Sequence, residues 1–190
     1  MIKVALVGNI ASGKSLAENY LKTLYPVADT DIIAHELLKT SQNLIIEAFS
    51  DFDICENGTL SRKKLADIVF SNSGQKQKLE NILHPLIKKE VLNFFENNSS
   101  SDLVFVSVPL LFESHFDKLF DKTIFIFAND NLRLQRLMKR NNLTEQQALI
   151  RIKSQLEQEE KIPLCDFVIK NETTPQDLYN KIQGVLNQII

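Results

Sequence analysis

Tryptophan is absent from the 190-residue chain, methionine and cysteine occur twice each, and glycine and proline five times each. Cys55 and Cys165 stand alone, without a CxxC pair or a cluster, so neither a disulfide framework nor a zinc site is indicated. No apolar run reaches the roughly 18–20 residues that a membrane span needs. The start, residues 1–8, has neither the length nor the small-residue cleavage site of a signal peptide. Charge of one sign is not in excess either: 22 Lys and Arg against 24 Asp and Glu leave a net charge of -2. That is too little basic surface for duplex nucleic acid, where affinity rests on neutralising many phosphates. With 44% hydrophobic and 24% charged residues in 21.7 kDa, the chain reads as one soluble, cytoplasmic globular unit.

Four short, continuous apolar runs, at residues 2–7, 103–108, 123–127 and 167–169, read as strands covered on both faces, with a weaker fifth at 26–29. Helical patterns alternate with them. One, at 14–24, follows the first strand directly, and another, at 62–70, stands behind a capping Ser61. A third opens on the capping box Thr144-Glu145-Gln146-Gln147 and runs to about 160. The last places Pro175 at its first position, where the missing N–H costs little. Strands alternating with helices predict a parallel α/β sheet. Residues from about 37 to 98 hold helical pattern and no convincing strand. They read either as a substrate-covering insertion or as a bulky crossover.

Two of the five glycines fall in Gly8-Asn9-Ile10-Ala11-Ser12-Gly13-Lys14-Ser15, which fits GxxxxGK[ST] and lies between a strand and a helix. Gly8 and Gly13 are expected to permit the backbone angles that turn successive N–H groups onto a phosphate. The following helix adds the positive end of its dipole. Lys14 supplies a mobile charge for the β- and γ-phosphates, and Ser15 a hydroxyl for Mg²⁺. The motif predicts nucleoside triphosphate binding.

A switch GTPase would add DxxG and NKxD elements, and neither occurs. The strand at 103–108 ends in Ser107-Val108-Pro109 with no acid before Glu113, unlike a motor or transporter ATPase. A small-molecule kinase is the leading class. Asp29 and Asp31 follow the second strand, at the sheet edge where α/β folds bind ligands. A kinase acting on a hydroxyl needs a carboxylate to accept its proton and help position Mg²⁺. Asp31 has the alternative duty of capping a helix over 32–39. Arg133, Arg136 and Arg140 share one helix stripe, and Arg151 and Gln155 repeat the spacing on the next helix. Residues 133–161 hold seven Lys and Arg against four acids and read as an Arg-rich lid, hinged at Asn141-Asn142, that closes over ATP phosphates. His35 and His115 read as structural or surface residues. Another nucleotide kinase, or a regulatory protein that hydrolyses ATP slowly, stays open at this point.

The ordered series resembles the dephospho-CoA kinase family along almost the whole chain. It comprises the phosphate loop, Asp29-Thr30-Asp31-Ile32-Ile33-Ala34-His35, Asn57-Gly58-Thr59-Leu60-Ser61-Arg62-Lys63-Lys64-Leu65 and His84-Pro85-Leu86-Ile87. Val108-Pro109-Leu110-Leu111-Phe112-Glu113, Arg136, Arg140, Arg151 to Gln155, and Asp166-Phe167-Val168-Ile169-Lys170-Asn171 complete it. The resemblance implies a three-layer α/β/α phosphate-loop kinase fold with a five-stranded sheet, in one domain over 1–190. It gives about 37–98 to acceptor binding and about 133–161 to the lid. It implies transfer of the ATP γ-phosphoryl group to the ribose 3′-hydroxyl of dephospho-CoA, with Mg²⁺, in the last step of coenzyme A biosynthesis. No nucleic acid or membrane partner is implied.

By the same resemblance Asp31, Lys14 and Arg140 are catalytic. Gly8, Ala11, Ser12, Gly13, Lys14, Ser15, Leu16, Arg136, Arg140 and Asn171 bind ATP, and Ser15 and Asp31 hold the metal. Asp29, Asp31, Arg62, His84, Pro109, Leu110 and Glu113 bind the acceptor. The chain departs from the family at Leu16, where Thr is usual, and at Thr30, where a small Ala separates the two acids. It departs again at Glu172-Thr173, where a glycine commonly follows Asn171. None of these removes a catalytic group.

Overall fold

A computed structural model describes residues 1–190. The elements begin with β1 (Ile2–Val7), α1 (Lys14–Leu21), β2 (Val27–Asp29), α2 (Thr30–Thr40) and α3 (Gln42–Ala48). Next come β3 (Cys55–Glu56), β4 (Thr59–Leu60), α4 (Arg62–Ser71), α5 (Ser73–Asn97) and β5 (Leu103–Ser107). The chain continues through β6 (Lys122–Phe127), α6 (Asp130–Asn141), α7 (Glu145–Lys153), α8 (Gln158–Lys161), β7 (Phe167–Lys170) and α9 (Pro175–Ile189). It folds as two compact units, one of Met1–Ala28 with Asn98–Ile190 and one of Asp29–Asn97.

The sheet has the order β2-β5-β1-β6-β7, with β1 central. β1 pairs in parallel with β5 and β6, setting Val4 opposite Phe105 and Leu6 opposite Ile124, and β6 pairs in parallel with β7. The continuous apolar runs are explained by burial on both faces: Val4 to Val7 and all of β5 are enclosed. Leu178, Ile182 and Leu186 of α9 recur every fourth residue, so one stripe of that helix meets Val4, Leu6, Ala17 and Leu21 in a shared core. Tyr20 stacks on Tyr179 with ring centroids 4.4 Å apart, joining α1 to α9. No helix is long and apolar enough to cross a membrane.

Several boundaries differ from expectation for local reasons. The first helix stops at Leu21 rather than 24, closing in a turn in which Thr23 Oγ1 donates to the Tyr20 carbonyl. The capping box at Thr144 forms as expected, but its helix ends at Lys153, and a separate turn, α8, follows. The acidic pair also resolves differently. Asp29, not Asp31, caps α2, its Oδ1 accepting from Asp31 N at 2.7 Å, so Asp31 stands in the first turn. The 37–98 region does contain strands, a two-residue hairpin of β3 and β4, too short for any periodicity to announce. Ser61 does not cap α4 with its side chain. Its hydroxyl donates to Glu56 Oε2 instead.

The edge strand β7 is tied at its start. Asp166 Oδ2 accepts from both Thr123 N and Thr123 Oγ1 at 2.8 Å. Burial alone would raise this carboxyl, but the Thr123 hydrogen bonds and the Lys122 charge outweigh it and hold it below the ordinary aspartate value. A depressed pKa contributes stability that is present above the unfolded value and lost as pH falls through the folded one. Asp166→Asn should therefore lower the melting temperature at pH 7, and the gap from wild type should close below about pH 4. Thermal midpoints across that pH range provide the check.

Candidate active site

β1 delivers the chain into the loop of residues 8–15 at the carboxyl end of the central strand, where open α/β sheets bind ligands. Gly13 takes the left-handed conformation at φ 96°, and Ala11 shares that region at φ 62°. At Gly13 an added Cβ would meet Asn171 Nδ2 at 1.9 Å, so both backbone and space require glycine. Gly8 is needed for a different reason than expected. Its φ is not positive, but a Cβ there would meet Ser12 Oγ at 2.7 Å and the Ile126 carbonyl at 3.0 Å.

Side chains from later in the sequence hold the loop's outward peptide groups. Ile10 N donates to Gln155 Oε1 at 2.8 Å, and the Ile10 carbonyl accepts from Arg133 Nε at 3.0 Å. The Ser12 carbonyl accepts from Asn171 Nδ2 at 2.8 Å and from Arg136 Nη1 at 3.3 Å. Asn9 Nδ2 donates to the Leu156 carbonyl at 2.8 Å. No side chain caps α1; Leu16 N bonds to the Gly13 carbonyl at 2.9 Å, which leaves the N–H groups of Lys14 and Ser15 for an anion. Ser15 is exposed in that turn, and Leu16 is half-buried against the core.

The Lys14 ammonium donates to Ser107 Oγ at the end of β5 and lies 3.9 Å from Glu18 Oε2. Where the sequence offered no acid at that strand end, a buried hydroxyl meets the lysine. The arginine stripe divides by burial. Arg133 is 2% exposed and paired with Asp130 at 2.7 Å, whereas Arg140 is exposed, its Nε on Asn141 Oδ1 at 2.8 Å. Asn171 is buried and spends its amide on the loop. Following β5, Pro109 is half-buried and Leu110 exposed, while Glu113 turns to Lys161 at 2.6 Å.

Asp29, Asp31, Arg62 and His84 belong to the second unit. There α2 and α4 both pack on α5. Arg62 Nη1 approaches the His35 ring, 2.7 Å from Nε2, which gives His35 a partner the sequence did not disclose. His84 is half-buried in α5, which runs on through Pro85. A cavity of about 500 Å³ in the first unit is lined by Asn9, Arg133, Ile152, Gln155 and Gln158. Asn9 is its one wall from the phosphate loop, and Lys14 and Ser15 are not among its walls.

A parallel sheet with this loop at its central strand, an uncapped helix behind it and an Arg-bearing helix beside it defines a phosphate-loop kinase. Comparison narrows the class. The family model for dephospho-CoA kinase matches residues 2–177. The dephospho-CoA kinase of Listeria innocua is 35% identical, the alignment covering 98% of this chain and 96% of that one. A solved dephospho-CoA kinase from Campylobacter jejuni superposes with a TM-score of 0.75 at 31% identity, covering 98% of this chain and 96% of that one. A solved Thermus thermophilus protein reaches a TM-score of 0.88 at 29% identity, covering 100% and 98%. The chain belongs to the dephospho-CoA kinase family.

Arg133, Gln155 and Ser107 make contacts with the phosphate loop and its lysine that spacing did not reveal, because each bond spans more than 90 residues of sequence. Gln155→Leu leaves the Ile10 N–H without its acceptor and should raise the Kd for ATP about tenfold, at about 1–3 kcal/mol per orphaned donor. Gly13→Ala should abolish ATP binding altogether. Isothermal titration with ATP checks both.

Proposed function

We propose that this protein transfers the γ-phosphoryl group of ATP to the ribose 3′-hydroxyl of dephospho-CoA, giving CoA and ADP. The observation that carries this is an intact phosphate loop in a chain matched by the dephospho-CoA kinase family over residues 2–177. The loop and the first turn of α1 cradle the β- and γ-phosphates with backbone N–H groups, and Lys14 adds its charge. Asp31 accepts the proton of the attacking hydroxyl, and Asp29 fixes the turn that presents it. Arg140, exposed at the end of α6, has the reach to meet charge developing on the transferred group. Arg62, His84, Pro109 and Leu110 are assigned to the acceptor, and Glu113, given to the acceptor by the resemblance, is assigned instead to its pairing with Lys161.

Ser15 and Asp31 are hard oxygen donors, both exposed, and that chemistry fits Mg²⁺. When bound, the ion offsets negative charge on the phosphate oxygens. Catalysis then rests on positioning and preorganised charge, with no covalent intermediate required of the protein. In this reading Asn171 and Arg136 serve ATP by shaping the loop at Ser12.

ADP release measured with dephospho-CoA, AMP, UMP and adenosine as acceptors tests the assignment. Turnover with dephospho-CoA and a product of the mass of CoA is expected. Turnover on a mononucleotide instead, or hydrolysis indifferent to acceptor, would overturn it. Asp31→Asn should lower kcat by roughly 10²–10⁴ while ATP affinity stays near wild type. Loss of ATP binding in that variant would take Asp31 out of the proton-accepting role.

A further inference from the structure

One buried ion pair lies away from the phosphate loop. Lys161, the last residue of α8, is 1% exposed, and its Nζ sits 2.6 Å from Glu113 Oε1, whose side chain is 24% exposed. The two groups are not aligned for a hydrogen bond, and neither carboxylate oxygen nor the ammonium has another hydrogen-bond partner. Desolvating both charges is seldom repaid in stability, so such a pair calls for a reason beyond holding the fold together.

The two ends of the contact supply that reason. On one side, α8 is a fixed post: buried Gln158 donates through Nε2 to the Ala128 carbonyl at 3.0 Å, just beyond β6. On the other side, Glu113 belongs to the tight turns that follow β5. Leu111 is fully buried there, and Ser114 N, His115 N and Phe116 N bond back to the Leu110, Phe112 and Leu111 carbonyls. The turns leave Leu110 42% exposed beside a half-buried Pro109, so the segment is held from below while it presents Leu110 outward. Glu113 would otherwise place an uncompensated carboxylate beside them, and a substrate bearing phosphate groups is repelled by such a charge.

We propose that Lys161 is a positioning residue for the acceptor, acting through Glu113: it fixes the 109–113 segment and cancels the Glu113 charge. This rests on the assignment of Pro109 and Leu110 to dephospho-CoA. The expected signature is a split between substrates. Lys161→Met should raise the KM for dephospho-CoA about tenfold while the KM for ATP stays within about twofold, and Lys161→Arg should restore most of the loss.

Because Lys161→Met leaves a carboxylate unpaired, the double variant Glu113→Leu with Lys161→Met is measured beside it. It removes both charges together, leaving neither unpaired, and should still raise the KM for dephospho-CoA selectively because the directed tether is gone. An unchanged KM for dephospho-CoA in both variants, even with a lowered melting temperature, would reduce the pair to a structural contact and overturn the inference. An equal rise in the KM for ATP would overturn it as well. Leu110→Ala separates the two layers. If it raises the KM for dephospho-CoA while the Lys161 variants do not, the acceptor wall stands and the strut falls. If it too leaves that KM unchanged, the acceptor assignment of the segment has failed.

Discussion

A phosphate loop works only if its backbone donors face inward before an anion arrives, and everything around Gly13 serves that constraint. The left-handed turn at φ 96° cannot be relaxed by a side chain, because Asn171 fills the space where one would go. Turning donors inward forces other peptide groups outward, and a buried outward carbonyl or N–H is costly unless it is met. The chain meets them with side chains carried on α6, with Gln155 and with Asn171 just beyond β7, while Asn9 of the loop donates its own amide to the Leu156 carbonyl. The sheet order makes this geometry available. β6 and β7 lie to one side of β1, so the segments leaving their carboxyl ends converge on the loop, while β5 on the other side brings Ser107 to Lys14.

Charge is distributed along the same lines. Lys14 stands between the Ser107 hydroxyl and the Glu18 carboxylate, held close to the loop while remaining a point charge for phosphate. The arginines of α6 divide between shaping and reaching: Arg133 and Arg136 hold loop carbonyls, and Arg140 stays exposed. Preorganised donors of this kind need no reorganisation at the moment of transfer, which is where electrostatic catalysis gains most.

Much of this was legible in the sequence, and the limits have physical causes. The strands of the sheet were plain because burial on both faces leaves continuous apolar runs such as 103–107. The loop was plain because its spacing is fixed by phosphate geometry. The β3–β4 hairpin was not, since two residues per strand leave no period to read. The arginine stripe was read correctly as a helix face, but spacing cannot tell that Arg133 is enclosed and Arg140 is not. Lys161 was counted among the positive charges of the 133–161 region, yet it is buried against a partner 48 positions earlier. Gln155 was noticed for its spacing from Arg151, while its bond to Ile10 belongs to tertiary structure alone.

Hydrogen exchange at the Ile10 amide, in the protein free of nucleotide, tests most directly whether the loop is built before its ligand binds. The account predicts protection of about a hundredfold or more over an unstructured chain, because Gln155 already holds that N–H. Exchange at the rate of an unstructured chain would contradict it, and would mean that ATP itself assembles the loop.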